Sequence, residues 1–207
     1  MKRYFVFLGL LSMLIYGLSF GLNFGGGTFV GYIPGNMIKL PVEFGLKFEN
    51  GIVLFGGRGE GGVNWHMGGI GGSGSKMITD NSGNEYTLGA LFGMAYGTKS
   101  LSFGDIGIET GLGFGGFSYT LNRVVNDSNT DTEELDMSIN YFIISPMLKL
   151  SVNIMPMMEI YGEATGIAGY SMNGWRYETG SSVSGIDQDN YKFLINYMLS
   201  VGIEWGY

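Results

Sequence analysis

Few residues of this chain have side chains typical of catalytic sites. It contains one histidine and no cysteine. His66 is followed by Ser73, Ser75 and Asp80, residue types that also build nucleophilic active sites. Their spacing does not imply a triad, because geometry rather than sequence distance defines one. A lipid-modifying enzyme that uses His66 is therefore kept as an alternative, and no catalytic residue is predicted.

An acidic segment between residues 122 and 136 is the second candidate for chemistry. Asp127-x-Asn129-x-Asp131 resembles the start of a calcium-binding loop. Thr132 and Ser138 stand where such a loop needs Gly and Glu, so a solvated acidic loop is predicted instead. Matches to the dinucleotide-binding GxGxxG pattern are expected by chance in a chain with 38 glycines. No metal ion or cofactor is predicted.

The composition narrows the class of protein before any element is placed. The chain has 207 residues, a formal net charge of -7 and 14% charged residues. Typical soluble domains contain about 25% charged residues. The absence of cysteine excludes disulfides and zinc-thiolate sites, and 11 basic against 18 acidic residues argue against a nucleic-acid partner. The composition therefore favours contact with lipid or a large core.

The beginning of the chain is typical of a secretory signal peptide. Two basic residues precede an uncharged apolar run from Tyr4 to Ile15, and small residues follow it. The run is shorter than the about 20 apolar residues of a membrane-spanning helix. We predict a signal peptide over residues 1–19, cleaved after Ser19 or Gly21, and one exported domain over 20–207. An uncleaved anchor is the alternative.

The exported part shows the period of two that is typical of β-strands. Apolar residues occupy every odd position from Tyr191 to Tyr207, and Ile38 to Phe48 alternates apolar and charged residues in the same way. These runs have the about nine or more residues that cross a bilayer at about 45° tilt, whereas soluble strands usually have about five or six. A soluble antiparallel sandwich is the alternative that this length disfavours.

The pattern predicts eight antiparallel strands that close into a transmembrane barrel. They are expected at about 20–32, 38–48, 53–65, 86–96, 106–114, 142–152, 158–165 and 191–207. Short links near Asn50, Lys99 and Met155-Pro156 should alternate with long loops at 66–85, 122–136 and 174–189; the first outer link, near Pro34, should be short. Short periplasmic turns and longer outer loops are typical of bacterial outer-membrane barrels.

The last strand carries a resemblance to a known family. It ends Val201-Gly202-Ile203-Glu204-Trp205-Gly206-Tyr207, with a terminal aromatic residue and apolar residues at every second position. With the signal peptide and the eight strands, it resembles the small outer-membrane barrels represented by the OmpA transmembrane domain and OmpX. The resemblance implies location in the bacterial outer membrane among its lipids. It also implies that the barrel-assembly machinery reads the last strand, through Leu199, Val201, Ile203, Trp205 and Tyr207.

The inward face of the strands decides whether the barrel is a pore. Eight strands enclose room for side chains but not for a wide channel. Isolated buried charges are costly, so charges in mid-barrel are expected to form ion pairs. The candidates are Lys39, Glu43, Lys47, Arg58, Glu60, Asp105, Glu109, Lys149, Glu159 and Glu163. Glu49, Lys192 and Glu204 fall on the same predicted face. A plugged lumen is predicted, with a narrow cation-preferring pore as the alternative.

These observations predict a non-enzymatic outer-membrane protein. Its barrel should present acidic polar loops for surface adhesion or envelope interaction, and a host or envelope ligand should bind there, above all at 122–136. A monomer is expected. The alternatives are a lipid-modifying barrel enzyme, a narrow channel for small hydrophobic or cationic solutes, and a soluble lipocalin-like binder. The last is disfavoured because the apolar faces are too uniform to meet water.

Overall fold

Alternation of side chains produces a sheet of long antiparallel strands. The computed structural model describes residues 23–41, 45, 46, 48, 50–62, 65–123 and 136–206. The strands are β1 (Asn23–Ile33), β2 (Ile52–Gly62), β3 (Trp65–Thr79), β4 (Glu85–Phe103), β5 (Ile106–Arg123), β6 (Met137–Met155), β7 (Met158–Tyr170), the two-residue β8 (Arg176–Tyr177) and β9 (Phe193–Trp205). Short 3-10 turns occupy Gly35–Met37 and Gln188–Tyr191.

The long strands close into a barrel. Neighbours pair in the order β1 to β7, then β9, and β9 pairs back onto β1. The short β8 stands outside this ring and pairs with the first residues of β6. The predicted eight-stranded antiparallel barrel is thus confirmed. Closure matters because each strand of the ring has a neighbour on both sides, and an open sheet edge could not be satisfied in a bilayer.

The connections differ in length between the two ends of the barrel. Gly62 and Trp65, Phe103 and Ile106, and Met155 and Met158 are joined by tight links at one end, here called the inner end. The strand ends at the outer end are separated in sequence by the longer segments 34–51, 80–84, 124–136 and 171–192, of which residues 42–44, 47, 49 and 124–135 lie outside the described residues. Short turns on the periplasmic side and longer loops outside are typical of outer-membrane barrels, so the inner end faces the periplasm.

Two strand assignments made from the sequence were wrong. Residues 38–48 were predicted to be a strand, but β2 begins only at Ile52. Ile38, Leu40 and Leu46 are instead buried residues of the first outer loop. The alternating apolar residues Ile38, Leu40 and Leu46 therefore belong to a loop in which their side chains are buried. Residues 66–85 were predicted to be a loop, yet most of them form β3, whose many glycines have no side chain to show a period.

Two turns were also misplaced. The turn expected near Lys99 lies at Gly104-Asp105, where Gly104 has a φ of 65° that suits glycine. The short link expected near Asn50 is the end of the outer loop 34–51. The predicted short turn at Met155-Pro156 and the long loop before β9 are both present.

The outer wall of the barrel is apolar. Along β6, Phe142, Ile144, Leu148 and Leu150 are exposed, whereas Lys149 between them is 2% exposed. Soluble proteins bury apolar side chains and expose charged ones, and this barrel does the reverse, as is typical of a barrel surrounded by lipid. Among the described residues, no helix has the length and apolarity to cross a membrane.

Two layers of buried side chains face the interior. Apolar and aromatic side chains fill the outer half, and those with almost no exposure include Phe29, Leu54, Leu88, Phe92, Phe117, Tyr119, Ile139, Ile143, Leu194 and Met198. Buried residues of the outer loops, Ile38, Leu40, Trp175, Val183 and Tyr191, join the same cluster. The Tyr141 hydroxyl of β6 donates to the Tyr191 carbonyl at 2.9 Å, which ties one loop to the wall. Charged residues fill the inner half.

Candidate functional site

Six strands bring eight ionisable side chains into the inner half of the lumen. Alternation turns each of them inward, and each residue is at most 9% exposed. We call this set the lumen cluster: Arg58 and Glu60 of β2, His66 of β3, Glu109 of β5, Lys149 of β6, Glu159 and Glu163 of β7, and Glu204 of β9.

Arg58 is the centre of one part of the cluster. Its guanidinium nitrogens lie 2.5 Å from Glu163 Oε2, 3.0 Å from Glu60 Oε2 and 2.7 Å from Glu204 Oε1. The guanidinium also lies over the rings of Tyr96 and Tyr161, at 4.8 and 5.4 Å from their centroids. A planar fork with several donors suits this shared role better than a lysine would.

Lys149 is the second shared cation. Its Nζ lies 2.6 Å from Glu204 Oε2, 2.8 Å from Glu159 Oε1 and 3.3 Å from Glu109 Oε1. Glu60 Oε1 is farther, at 3.9 Å. Glu204 therefore contacts both Arg58 and Lys149. Because it lies on β9, it connects the ion pairs of Arg58 with those of Lys149 at the seam, the place where β9 pairs with β1 and closes the barrel.

The cluster holds more acid than permanent base. Its five glutamates outnumber the two permanent cations, Arg58 and Lys149, and the charge of His66 depends on protonation. His66 Nδ1 lies 3.2 Å from Glu60 Oε1 and 3.5 Å from Glu109 Oε1. Uncompensated buried charge is costly, so a further positive charge beside these two carboxylates would stabilise the fold.

Six of the predicted ion-pair candidates belong to the lumen cluster: Arg58, Glu60, Glu109, Lys149, Glu159 and Glu163. The structure places Lys39 and Asp105 elsewhere. Lys39 is exposed in the first outer loop, since that segment is not a strand, and donates to the Asn190 carbonyl at 3.5 Å. Asp105 is exposed in the β4–β5 turn. Glu43 and Lys47 lie outside the described residues.

His66 is the member of the cluster whose position differs from the one predicted from the sequence. It was assigned to the start of a long loop, but it is the second residue of β3 and points inward opposite Thr98 of β4. The alternation of Trp65, His66 and Met67 was the available signal, since the flanking residues are apolar. The glycines that follow concealed it.

The proposed assembly signal lies on the opposite face of β9. Leu199, Val201, Ile203 and Trp205 are all exposed on the outer wall, between 37% and 65%. Tyr207 lies outside the described residues. These four side chains are part of the apolar outer wall.

The outer rim carries charged groups in water. Asp80 caps the β3–β4 turn, accepting from the Asn84 side-chain amide at 2.7 Å and from the Ser82 and Asn84 backbone amides at 2.8 and 2.9 Å. These hydrogen bonds, that of the Asn84 side chain first, lower the pKa of Asp80. Lys192 donates to Asp189 at 2.6 Å, which raises the pKa of Lys192.

A rim cleft of about 250 Å³ lies between the ends of β5 and β6. It is lined by Thr120, Asn122, Asp136, Met137, Ser138 and Glu178, and all of these except Met137 have side-chain oxygen atoms. Asn122 and Asp136 are the two ends of the predicted acidic loop 122–136, whose residues 124–135 lie outside the described residues.

Comparison with known proteins shows the fold. No protein-family model and no curated protein matches the chain. A major outer membrane protein of Thermus thermophilus superposes with a TM-score of 0.56 and 11% identity, over 90% of this chain and 100% of its own. Ail, the attachment invasion locus protein of Yersinia pestis, was crystallised with the heparin analogue sucrose octasulfate. It gives a TM-score of 0.51 and 11% identity over 90% of this chain and 97% of its own.

The fold and the outer surface lead to one conclusion about class. A closed antiparallel barrel of this architecture with an apolar outer wall is a transmembrane barrel of the small bacterial outer-membrane type. The protein belongs in the bacterial outer membrane.

Proposed function

We propose that this protein is a non-enzymatic outer-membrane barrel that presents acidic outer loops to a partner at the cell surface. The observation that supports the proposal is the burial of the inward-facing side chains in both halves of the barrel. Apolar side chains and two outer loops fill one half, and the ion-paired lumen cluster fills the other. A barrel of this kind acts as a rigid mount, and the residues that bind a partner are then expected in its loops.

The narrow channel is the less supported alternative. Side chains that line a water-filled pore are exposed to solvent within it. Here Leu88, Tyr119 and Ile139 have no exposure in the outer half, and Glu204 has none in the inner half. Both halves would have to rearrange before a solute could pass.

The enzyme alternative loses its candidate residues. Ser73 and Ser75 are exposed on the lipid-facing side of β3, whereas His66 points into the lumen. Asp80 lies in the outer turn at the far end of the same strand. These four side chains therefore do not converge on one site.

The charge of the rim indicates what kind of partner the loops would accept. Glu85, Glu178, Asp187 and Asp189 are exposed at the outer end, and the segment 124–135 adds four acidic residues. Negative potential repels polyanions and steers positively charged surfaces towards the loops. Unlike Ail, which was crystallised with a heparin analogue, this chain is proposed to bind a basic partner.

Replacement of residues 124–135 by a short Gly-Ser linker tests this function. The variant should keep heat-modifiable folding, because loop length has little effect on closure energetics. Binding of protein-containing vesicles to a polylysine surface should fall. A matched variant that keeps the loop length but carries Asn and Gln for its Asp and Glu should show the same loss. If both variants bind as well as the wild type, or if the wild type prefers a heparin surface, the proposal is wrong.

A further inference from the structure

We propose that Glu60, His66 and Glu109 form a site for one divalent transition-metal ion at the inner end of the lumen. The three side chains come from β2, β3 and β5, and their ligand atoms all lie within 4.8 Å of one another. One imidazole and two carboxylates are ligands that zinc and neighbouring first-row ions accept. This inference is independent of what the outer loops bind.

The separations suit an ion between the three ligands. His66 Nδ1 lies 3.2 Å from Glu60 Oε1 and 3.5 Å from Glu109 Oε1. Atoms at these separations and within 4.8 Å overall leave a central point roughly 2.0–2.4 Å from each. Zinc bonds to nitrogen and carboxylate oxygen are about 2.0–2.2 Å long. An ion therefore needs only small adjustments of the side chains.

The second oxygen of each carboxylate is already held by the protein. Glu60 Oε2 accepts from Arg58 at 3.0 Å and from the Tyr96 hydroxyl at 2.5 Å. Glu109 Oε2 accepts from the Thr98 hydroxyl at 3.4 Å. Outer hydrogen bonds of this kind orient the ligands of metal sites and leave one oxygen of each carboxylate for the ion. Arg58, Tyr96 and Thr98 are thus positioning residues for the site.

The charge balance of the lumen cluster favours the same site. Five buried glutamates face two permanent cations. A proton on His66 would add one positive charge to the cluster, whereas a divalent ion beside neutral His66 would add two. Buried charge without compensation is costly, so the ion gives the more nearly neutral interior.

The Lys149 ammonium lies close to two of the oxygen atoms that would bind the proposed ion. Its Nζ is 3.3 Å from Glu109 Oε1 and 3.9 Å from Glu60 Oε1, and it is also held by Glu159 and Glu204 at 2.8 and 2.6 Å. Those two contacts hold the Lys149 ammonium within the cluster. The ion would take the place of a proton on His66 Nδ1 and would share Glu109 Oε1 with Lys149.

Access to the site is from the periplasm. The His66 side chain is 11% exposed and lies next to the inner end of β3. The outer half of the lumen is filled, so an ion could reach the site only through the inner mouth. Once bound, it would tie three strands together and stabilise the folded barrel by mass action.

Zinc binding by the full exported chain in lipid vesicles tests the proposal. Protein is folded with and without ZnCl2, and loosely bound metal is then washed away with EDTA-treated buffer. Elemental analysis gives the zinc content of the protein folded with ZnCl2, and calorimetric titration of the protein folded without it gives the affinity for zinc. We expect one zinc per chain and a higher unfolding temperature with zinc. His66→Gln and Glu109→Gln should each weaken binding by at least about tenfold. The matched variant Glu159→Gln, which removes a buried carboxylate that does not face His66, should keep it.

Two outcomes would overturn the site. One is a wild type that takes up no zinc even when folded in its presence, and the other is equal affinity in wild type, His66→Gln and Glu109→Gln. If the variants fail to fold, X-ray absorption of zinc on the wild type decides. A shell of oxygen and imidazole nitrogen supports the proposal, and a sulfur shell from the exposed methionines at the inner turns refutes it.

Discussion

At the scale of single residues, Arg58 is the side chain on which the inner lumen most depends. It is shared by Glu60, Glu163 and Glu204, and its side chain has no exposure. A buried ion network of this kind adds little net stability compared with an apolar core, because all its charges had to leave water. Removal of one partner is a different matter, since the remaining charges stay buried without compensation.

Arg58→Met should therefore destabilise the barrel by about 3–5 kcal/mol. Urea unfolding in lipid vesicles, followed by tryptophan fluorescence and gel mobility, measures the change. Lys192→Met is the matched control, because Lys192 pairs with Asp189 on the exposed rim and its loss should matter little. Adding Glu163→Gln to Arg58→Met should recover part of the stability. An Arg58→Met barrel as stable as the wild type would contradict the network described here.

At the scale of the elements, closure of the barrel depends on close contact between β1 and β9. Gly27 pairs with Glu204, and a Cβ at Gly27 would collide with the Ile203 carbonyl and with the backbone and side chain of Glu204. Gly93 of β4 also lies in a strand, but a Cβ there would meet nothing within 4 Å. The two glycines thus have different roles.

Gly27→Ala should cost about 1–3 kcal/mol, because overpacking forces a backbone shift at the seam. Gly93→Ala should be neutral or slightly stabilising, since a side chain suits a strand better than glycine does. Folding yield and urea midpoint in vesicles distinguish the two variants. Equal effects of the two substitutions would show that the seam is looser than its contacts indicate.

The lipid-facing row of β9 gives a second prediction at this scale. Leu199 is 51% exposed in the middle of the strand, with Val201 beyond it on the same face. Leu199→Arg places a charge against hydrocarbon and should cost about 2–4 kcal/mol. Leu199→Met keeps an apolar side chain of similar size and serves as the control. The unfolding free energy in vesicles checks the difference, and a stable Leu199→Arg barrel would mean that this face does not contact lipid.

At the scale of the whole molecule, a proposed plugged lumen predicts an electrically silent barrel. Pure protein in planar bilayers should give no stable unitary conductance, because eight strands leave room only for side chains and buried side chains face inward in both halves. Heat-denatured protein in the same detergent is the control for leakage. Reproducible unitary steps from folded protein alone would support the narrow channel in place of the mount.

The sequence by itself determined the class of this protein, and the reason is local. In β6 and β9 the side-chain period of two is a property of the backbone, so hydrocarbon on one face and polar residues on the other can be seen without any contact. Inward charges such as Arg58, Glu109 and Lys149 were found on the same basis. The prediction from alternation was wrong in two segments. Glycine-rich β3 has too few side chains to show a period of two, and residues 38–48 show that period although β2 begins only at Ile52.

Only the tertiary structure decided which inward charges meet. Arg58 contacts Glu163 and Glu204 because closure brings β2, β7 and β9 around one narrow lumen, although these strands are far apart in sequence. His66 faces Glu60 and Glu109 for the same reason, once β3 is recognised as a strand. Alternation specifies the face of a side chain but not its height in the barrel, and strand register sets that height.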